Sequence, residues 1–376
     1  MKHISQDKLD QIIGLRHLLH CYPDLSLQES GTIRILKGFL RENTTLEIFD
    51  RDGWFYAVKS ASAEPAASPI AFRADMDALP MDESIAISYG SVHNGISHKC
   101  GHDGHMAALC GLALELDKMK VDRTVYLIFQ PAEEIGQGAV RCADLIGEKG
   151  ITEIYAFHNI SDYPENSIVY RQQLTQPASE GLTIHMHGKQ SHASAPEEGR
   201  NPSAAIAELA LYAQQLPGES HEGMALCTIV GMRCGEGDFG ICAGEGSISV
   251  TLRAEQEPFM KEMETKLLQK AAELSARDGL RAEHEIHDYF PETRNHDDAL
   301  NRVLRKASGL HLPVIEMENL WKASEDFGYY VKKCPGAMFY IGNGTDYPPV
   351  HTDSYDFNDR ILKTAVDMFL ALAEAE

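Results

Sequence analysis

Eight residues of the chain read His98-Lys99-Cys100-Gly101-His102-Asp103-Gly104-His105. This run holds histidines, a cysteine and an aspartate, and its glycines leave the backbone free to turn. In an extended segment alternate residues point the same way, so Cys100 and His102 are expected to aim at one point. A thiolate and an imidazole form a ligand pair that suits zinc and other late divalent metals. The run therefore predicts a metal site, and the alternative is a polar loop with an incidental cysteine.

The composition is that of a soluble globular protein. A length of 376 residues favours two domains, and the net charge of −22 argues against nucleic acid as a partner. No apolar run approaches the roughly 20 residues needed to span a membrane. The first seven residues lack the apolar core of a signal peptide. The eight cysteines show no paired spacing, and we therefore expect a cytoplasmic protein with reduced thiols.

Short apolar strands alternate with helices, and the strands lead into residues that can bind a metal or move a proton. The predicted strands and the polar residues after them are Ile70–Arg73 with Asp75 and Asp77, Val125–Gln130 with Glu133 and Glu134, Ile154–Phe157 with His158, and Ala337–Ile341 with His351. Helices are predicted at 6–20, Ser30–Leu40, Met106–Met119 and Asp356–Ala373. This alternation predicts an α/β fold with a mostly parallel sheet. The active site is then expected beyond the carboxyl ends of the strands.

The middle of the chain follows a different pattern. Its predicted elements are the strand Gly181–His187, the helix Ser203–Gln215, the strands Ala225–Met232 and Ser247–Arg253, the helix Glu257–Arg277 and the strand Ala282–His287. This order is that of an α+β ferredoxin-like domain. We therefore expect an inserted domain at 174–287 within an α/β domain formed by 1–173 and 288–376.

Four of the polar residues are candidates for metal binding or proton transfer. Glu133 and Glu134 are adjacent and point in different directions, so one can bind a metal while the other moves a proton. The alternative is a solvated acidic turn. His158 is a candidate ligand or a hydrogen-bonded core histidine, and His351 follows a loop that prolines stiffen.

Four further residues are candidates for orienting groups or binding substrate. Asp75 and Asp77 follow a strand two residues apart and can orient histidines or a base from behind, or else bind the loop backbone. His192 lies in a loop of small residues, where it either reaches a substrate oxygen or faces solvent. Arg253 ends a strand and can pair with a substrate carboxylate.

Five motifs together resemble the two-metal aminoacylase-like amidohydrolases. They are Cys100-Gly101-His102-Asp103-Gly104-His105, Phe129-Gln130-Pro131-Ala132-Glu133-Glu134, Phe157-His158-Asn159, Ser191-His192-Ala193 and Val350-His351-Thr352. Their order and spacing are most similar to the branch of hippurate hydrolases, N-acetyl-amino-acid deacetylases and auxin-conjugate hydrolases. The resemblance covers nearly the whole chain. It implies a metallo-exopeptidase-like catalytic domain whose inserted domain is a substrate lid and a dimer contact.

The resemblance also implies a cofactor, a reaction and roles for residues. It implies two divalent ions, zinc or manganese, bound by Cys100, His102, Glu134, His158 and His351. Glu133 then matches the general base, Asp77 the aspartate that orients a histidine, and His192 the lid residue that reaches the scissile carbonyl. The expected enzyme is a homodimer that hydrolyses N-acyl amino acids, acetylated, benzoylated or similar, to a carboxylate and a free amino acid.

Two rival functions are weaker. A dipeptidase or aminopeptidase of the same superfamily needs an acidic partner for the free amino group of its substrate, and the sequence does not point to one. A non-catalytic protein with a structural metal site usually has a closed set of four protein ligands. Five candidate ligands and a spare glutamate favour catalysis instead.

Overall fold

The computed structural model of the chain describes residues 3–62, 65–218 and 223–374. The first two of the seven residues that lack a signal-peptide pattern therefore lie outside the described residues. The chain divides into unit 1, which comprises Met1–Thr175, Thr293–Leu320 and Glu325–Glu376, and unit 2, which comprises Gln176–Glu292 and Trp321–Ser324. Among the described helices, none combines the length and the apolar character needed to traverse a bilayer.

The described residues form a mixture of helices and strands. The helices are, in chain order, α1 Gln6–Cys21, α2 Ser30–Asn43, α3 His102–Asp117, α4 Ala139–Cys142, α5 Asp144–Lys149, α6 Ser203–Gln215, α7 Glu257–Asp278, α8 Asp297–Gly309, α9 Gly328–Val331 and α10 Leu362–Ala373. The strands are β1 Glu47–Arg51, β2 Trp54–Lys59, β3 Ile70–Asp75, β4 Val125–Gln130, β5 Glu153–Ile160, β6 Ile168–Tyr170, β7 Leu174–Gln176, β8 Ala178–His187, β9 Ser191–His192, β10 Ala225–Cys234, β11 Ile241–Cys242, β12 Glu245–Ala254, β13 Arg281–Phe290, β14 Thr293–Arg294, β15 Val314–Glu316 and β16 Gly336–Gly342. Short 3₁₀ turns lie at Pro196–Glu198, Leu216–Gly218 and Asp359–Ile361.

Unit 1 is built on a mixed sheet with the strand order β1-β2-β4-β3-β5-β16-β6-β15. Its centre is parallel, because β3 pairs in parallel with β4 and β5, and β5 pairs in parallel with β16. Every residue of β3 is buried, as expected for a strand that is covered on both faces. The prediction of an α/β fold with a mostly parallel sheet is confirmed.

Helix α3 is the central helix of unit 1 and is buried along nearly its whole length. It packs against α1 and α10. A side chain at Gly111 would not fit, because a Cβ there would lie 2.6 Å from Val366 Cγ2 and 3.0 Å from Ile12 Cδ1. This close packing fixes the first residues of α3, where the cysteine–histidine run ends, relative to the sheet.

Several predicted boundaries in unit 1 are wrong: α3 begins at His102 instead of Met106, and β3 ends at Asp75 instead of Arg73. Two further differences have a long-range cause. Strand β5 extends past Phe157 to Ile160, because its parallel pairing with β16 continues through His158. The last helix begins at Leu362 instead of Asp356. Asp356 instead accepts hydrogen bonds from distant side chains, Arg16 at 2.7 Å and Tyr89 at 2.7 Å.

Unit 2 is a four-stranded antiparallel sheet with the order β10-β12-β8-β13 and its own core. Helices α6 and α7 pack on one face of the sheet. The buried residues of that face alternate along β8 and β12 and include Leu182, Ile184, Ile248 and Val250. This order is that of a ferredoxin-like domain, in agreement with the predicted sequence of elements.

A group of buried charges joins α1 to the start of α3. Arg16 donates to Asp103 at 3.2 Å and to Asp356 at 2.7 Å. The two ring nitrogens of His20 each lie 2.8 Å from a carboxylate, one from Asp103 and the other from Glu83. Burial favours the neutral ring, but these carboxylates outweigh it and raise the pKa of His20 to about 9. A charged His20 therefore stabilises the folded chain.

The raised pKa predicts a pH-dependent contribution of His20 to stability. The contribution is fully present below the ordinary pKa of 6.5 and is lost as the pH rises through about 9. We expect His20→Gln to lower the melting temperature most near pH 6 and least near pH 10, as measured by calorimetry. The exposed His311→Asn serves as the control and should show no such trend. A melting-temperature difference that stays constant over this range would contradict the prediction.

Candidate metal centre

The cysteine–histidine run was predicted to be extended, but the structure shows that it turns sharply. Gly101 adopts a φ of +97°, and His102 is the first residue of α3. A Cβ at position 101 would clash with the side-chain amide of Asn159, so only glycine fits this left-handed turn. The turn still directs Cys100 and His102 to one place, and Cys100, His102 and His158 present ligand atoms within 4.8 Å of one another.

The five residues predicted as metal ligands lie together in unit 1. Cys100 Sγ is 3.3 Å from His158 Nε2 and 3.3 Å from His351 Nε2. The Glu134 carboxylate is 3.4 Å from His351 Nε2 and 3.7 Å from His102 Nε2. The side chain of His351 is 49 % exposed, whereas that of Glu134 is only 9 % exposed. We call these five residues the metal cluster.

The metal cluster fits a divalent metal in its chemistry and its spacing. His102 Nε2 and Glu134 Oε1 are shielded from solvent and have no hydrogen-bond partner among the described residues. Buried polar atoms are normally paired, so these two atoms point to a ligand. Zinc lies about 2.0–2.3 Å from sulfur, nitrogen and oxygen ligands, so the ligand atoms of one ion lie roughly 3–4 Å apart, as they do here.

Hydrogen bonds to the other ring nitrogens orient two histidines of the metal cluster. His102 Nδ1 donates to the Asp77 carbonyl oxygen at 2.9 Å, and His158 Nδ1 donates to the Asn159 carbonyl oxygen at 2.7 Å. Each bond places a ring proton on Nδ1 and directs Nε2 at the metal cluster, where a metal would take the place of any proton on Nε2. Asn159 also donates from its side chain to the Cys100 carbonyl at 3.1 Å.

Asp77 also holds the turn that carries the two glutamates. Its carboxylate accepts the backbone N–H of Glu133 at 3.1 Å and that of Glu134 at 2.9 Å. It accepts a third hydrogen bond from Ser26 Oγ at 2.7 Å. Burial opposes ionisation, but the His102 hydrogen bond and charge outweigh it and lower the pKa of Asp77. Asp77 thus remains a charged acceptor that positions both glutamates.

A second buried network lies behind the metal cluster, and the sequence analysis assigned no role to most of it. Asp75 binds His105 Nδ1 at 2.6 Å and Arg73 Nη1 at 2.7 Å. Arg73 also donates to Glu325 and Asp326, each at 2.9 Å. One signal could have revealed it, because an arginine in a fully buried strand requires buried carboxylate partners.

Burial and neighbouring charges shift the pKa values of the metal cluster and of Glu133. Burial and neighbouring carboxylates raise the pKa of the Cys100 thiol well above its ordinary value. Burial lowers the pKa of His102, but nearby carboxylates outweigh it and raise that pKa to about 10. Burial raises the pKa of Glu134 to about 7, and burial together with the charge of Glu325 raises the pKa of Glu133 well above its ordinary value. A divalent ion that binds at the cluster would therefore displace protons from these groups.

His192 and Arg253 belong to unit 2, whereas the metal cluster, Glu133 and Asp77 belong to unit 1. His192 is exposed, and its Nδ1 accepts the backbone N–H of Ser194 at 3.1 Å, which leaves Nε2 as the N–H donor. Arg253 donates to the Lys322 carbonyl at 2.8 Å and to Ser324 Oγ at 2.9 Å. Both of these acceptors are uncharged, so they leave the positive charge of Arg253 uncompensated.

The chain is similar to known hydrolases over almost its full length. N-acetylcysteine deacetylase of Bacillus subtilis (strain 168) is 28% identical over 372 residues, which cover 96% of each chain. Hippurate hydrolase of Campylobacter jejuni is 27% identical and covers 96% of this chain and 94% of its own. A crystal structure of a dinuclear metal-binding peptidase from the M20 family of Bacillus subtilis has a TM-score of 0.83, 25% identity and 98% coverage of both chains. The model of peptidase family M20/M25/M40 matches residues 71–375, and the chain therefore belongs to this family.

Proposed function

We propose that the chain is a metal-dependent amidohydrolase that cleaves N-acyl amino acids to a carboxylate and a free amino acid. The observation that carries the proposal is the metal cluster, which lies beside Glu133 and contains buried ligand atoms that have no hydrogen-bond partner in the described part of the chain. The relatives support the substrate class, because N-acetylcysteine and hippurate are both N-acyl amino acids. Within this class we propose acetylated or benzoylated substrates.

The metal cluster would hold two divalent ions, zinc or manganese. The proposed ligands are Cys100, His102, Glu134, His158 and His351. The dinuclear metal-binding relative supports the number of ions, and the thiol favours zinc. Bound there, the ions would supply Lewis-acid chemistry, which polarises a carbonyl and lowers the pKa of water.

Glu133 is the general base and then the general acid of this reaction. It removes one proton from the attacking water while the water oxygen bonds to the carbonyl carbon. It then delivers that proton to the amide nitrogen as the carbon–nitrogen bond breaks. Burial and nearby carboxylates raise the proton affinity of Glu133, and the positive charge of bound metal ions would favour the ionised form that a base needs. Asp77 acts by holding the backbone N–H of Glu133 at 3.1 Å.

Two residues of unit 2 complete the proposal, and unit 2 serves as the substrate lid. His192 Nε2–H donates to the carbonyl oxygen on which negative charge develops. Arg253 pairs with the carboxylate of the substrate, since its protein acceptors are uncharged.

The enzyme is proposed to be a homodimer that forms through unit 2. Strand β10 lies at one edge of the unit 2 sheet. It carries the exposed apolar side chains Val230 and Met232, which are 63% and 60% exposed. Unpaired edge strands with exposed apolar residues are sites of association between chains.

The substrate class is tested directly by an activity panel. The purified chain, reconstituted with zinc or manganese, is expected to hydrolyse acetyl- and benzoyl-amino acids and to lose this activity on chelation. Free amino acid release is measured by chromatography. Hydrolysis of unblocked dipeptides alone would show a peptidase instead, and no turnover with two bound ions would remove the catalytic proposal.

Substitutions of the two adjacent glutamates should have different effects on metal content and kcat. Glu133→Gln is expected to keep both metal ions but to lower kcat about 100-fold or more, the range for losing a general base. Glu134→Gln is expected to bind less metal as well, since a ligand is lost. Metal content by mass spectrometry and kcat are measured together, with exposed Glu318→Gln as the control. A Glu133→Gln variant with near-normal kcat would mean that the base is another group.

The two unit 2 residues should also differ in their kinetic effects. His192→Ala is expected to lower kcat about 100-fold or more with metal content unchanged, since it removes an oxyanion donor. Arg253→Ala is expected mainly to raise KM, because a carboxylate clamp binds ground and transition states alike. The exposed His284→Ala is the control in the same unit. Changes of only a few-fold in both variants would remove the lid role and leave the metal mechanism in place.

A further inference from the structure

A buried carboxylate, Glu29, lies behind the turn that carries Glu133 and Glu134. Glu29 is 3% exposed and lies directly before α2. Its Oε1 accepts the backbone N–H of Ala132 at 2.7 Å and that of Leu27 at 3.0 Å. The reaction proposed above uses no atom of Glu29.

Two carboxylates together hold the turn at residues 132–134. Glu29 binds the N–H of Ala132, and Asp77 binds the N–H groups of Glu133 and Glu134. Three consecutive amides of the turn therefore donate to side chains that lie far away in sequence. Each residue of the turn is therefore held through its backbone N–H by a carboxylate oxygen.

The turn needs such support because of its backbone conformation. Ala132 has a φ of +49°, in the left-handed region that residues with a Cβ rarely adopt. A residue remains in this region only where the surrounding structure holds it there. Ala132 is fully buried, and two hydrogen bonds hold its backbone: its N–H donates to Glu29, and its carbonyl accepts the N–H of Gln137.

We infer that Glu29 is a positioning residue for the general base. This inference rests on the function proposed above. By fixing the backbone of Ala132, Glu29 determines where the carboxylates of Glu133 and Glu134 point. A displacement of about 1 Å at a reacting group costs roughly 100-fold in rate. Loss of the Glu29 hydrogen bond should therefore slow the chemical step and leave substrate binding largely unchanged.

The kinetic test compares a variant that keeps a hydrogen-bond acceptor at position 29 with a variant that removes it. Glu29→Gln keeps an oxygen that can accept both N–H groups, whereas Glu29→Ala keeps none. At saturating metal we expect Glu29→Ala to lower kcat at least about 10-fold with KM within about 2-fold, and Glu29→Gln to stay within about 3-fold of the unmodified enzyme. The exposed neighbour Gln28→Ala is the matched control. A Glu29→Ala variant with unchanged kcat, or equal losses in both variants, would overturn the inference.

A second measurement is independent of turnover. Hydrogen exchange of the segment 130–136 should be faster in Glu29→Ala than in the unmodified chain, and unchanged in Glu29→Gln, because only the alanine frees the Ala132 amide. Equal exchange in all three chains would overturn the inference even if no N-acyl amino acid is a substrate. If Glu29→Ala does not fold, Glu29→Asp replaces it, since the shorter side chain draws the acceptor away from Ala132. Unchanged kcat and exchange in Glu29→Asp would then count against the inference.

Discussion

The metal cluster depends on one buried residue, Asp77, which lies just beyond the end of β3. Its carbonyl oxygen fixes the ring of His102, and its carboxylate fixes the N–H groups of Glu133 and Glu134. A histidine from the start of α3 and two glutamates after β4 are thus positioned by the same residue. This arrangement requires the parallel pairing of β3 with β4, which brings the ends of the two strands together. The pairing of strands in the sheet therefore determines where His102, Glu133 and Glu134 lie.

Much of the fold could be predicted because its signals are local. Apolar strands that alternate with helices predict the parallel sheet of unit 1, and the order of elements predicts the ferredoxin-like unit 2. Both predictions are confirmed, as is the family. The boundaries that failed depend on distant partners: the end of β5 is set by β16, and Asp356 is bound by Arg16, 340 residues away in the chain. No local pattern contains such information.

The candidate site likewise has some features that could be predicted from the sequence and others that could not. The five predicted ligands lie together in unit 1, and their roles as ligands, like those of Glu133, His192 and Arg253, stay predictions until the variants are measured. Asp75 and Asp77 were predicted to orient other groups, but Arg73 and Glu29 were given no role, because their partners are remote: Arg73 binds Glu325, 252 residues away, and Glu29 binds Ala132, 103 residues away. The run at Cys100 was expected to be extended, and the left-handed turn at Gly101 became evident only beside Asn159.

The raised pKa of Cys100 has a consequence for the reactivity of its sulfur. Oxidation of cysteine begins from the thiolate, and a buried thiol that stays protonated is a poor nucleophile. Burial and the carboxylates around Cys100 favour the protonated thiol over the thiolate. The same surroundings therefore weaken the sulfur as a nucleophile and oppose the loss of the proton that a metal must displace.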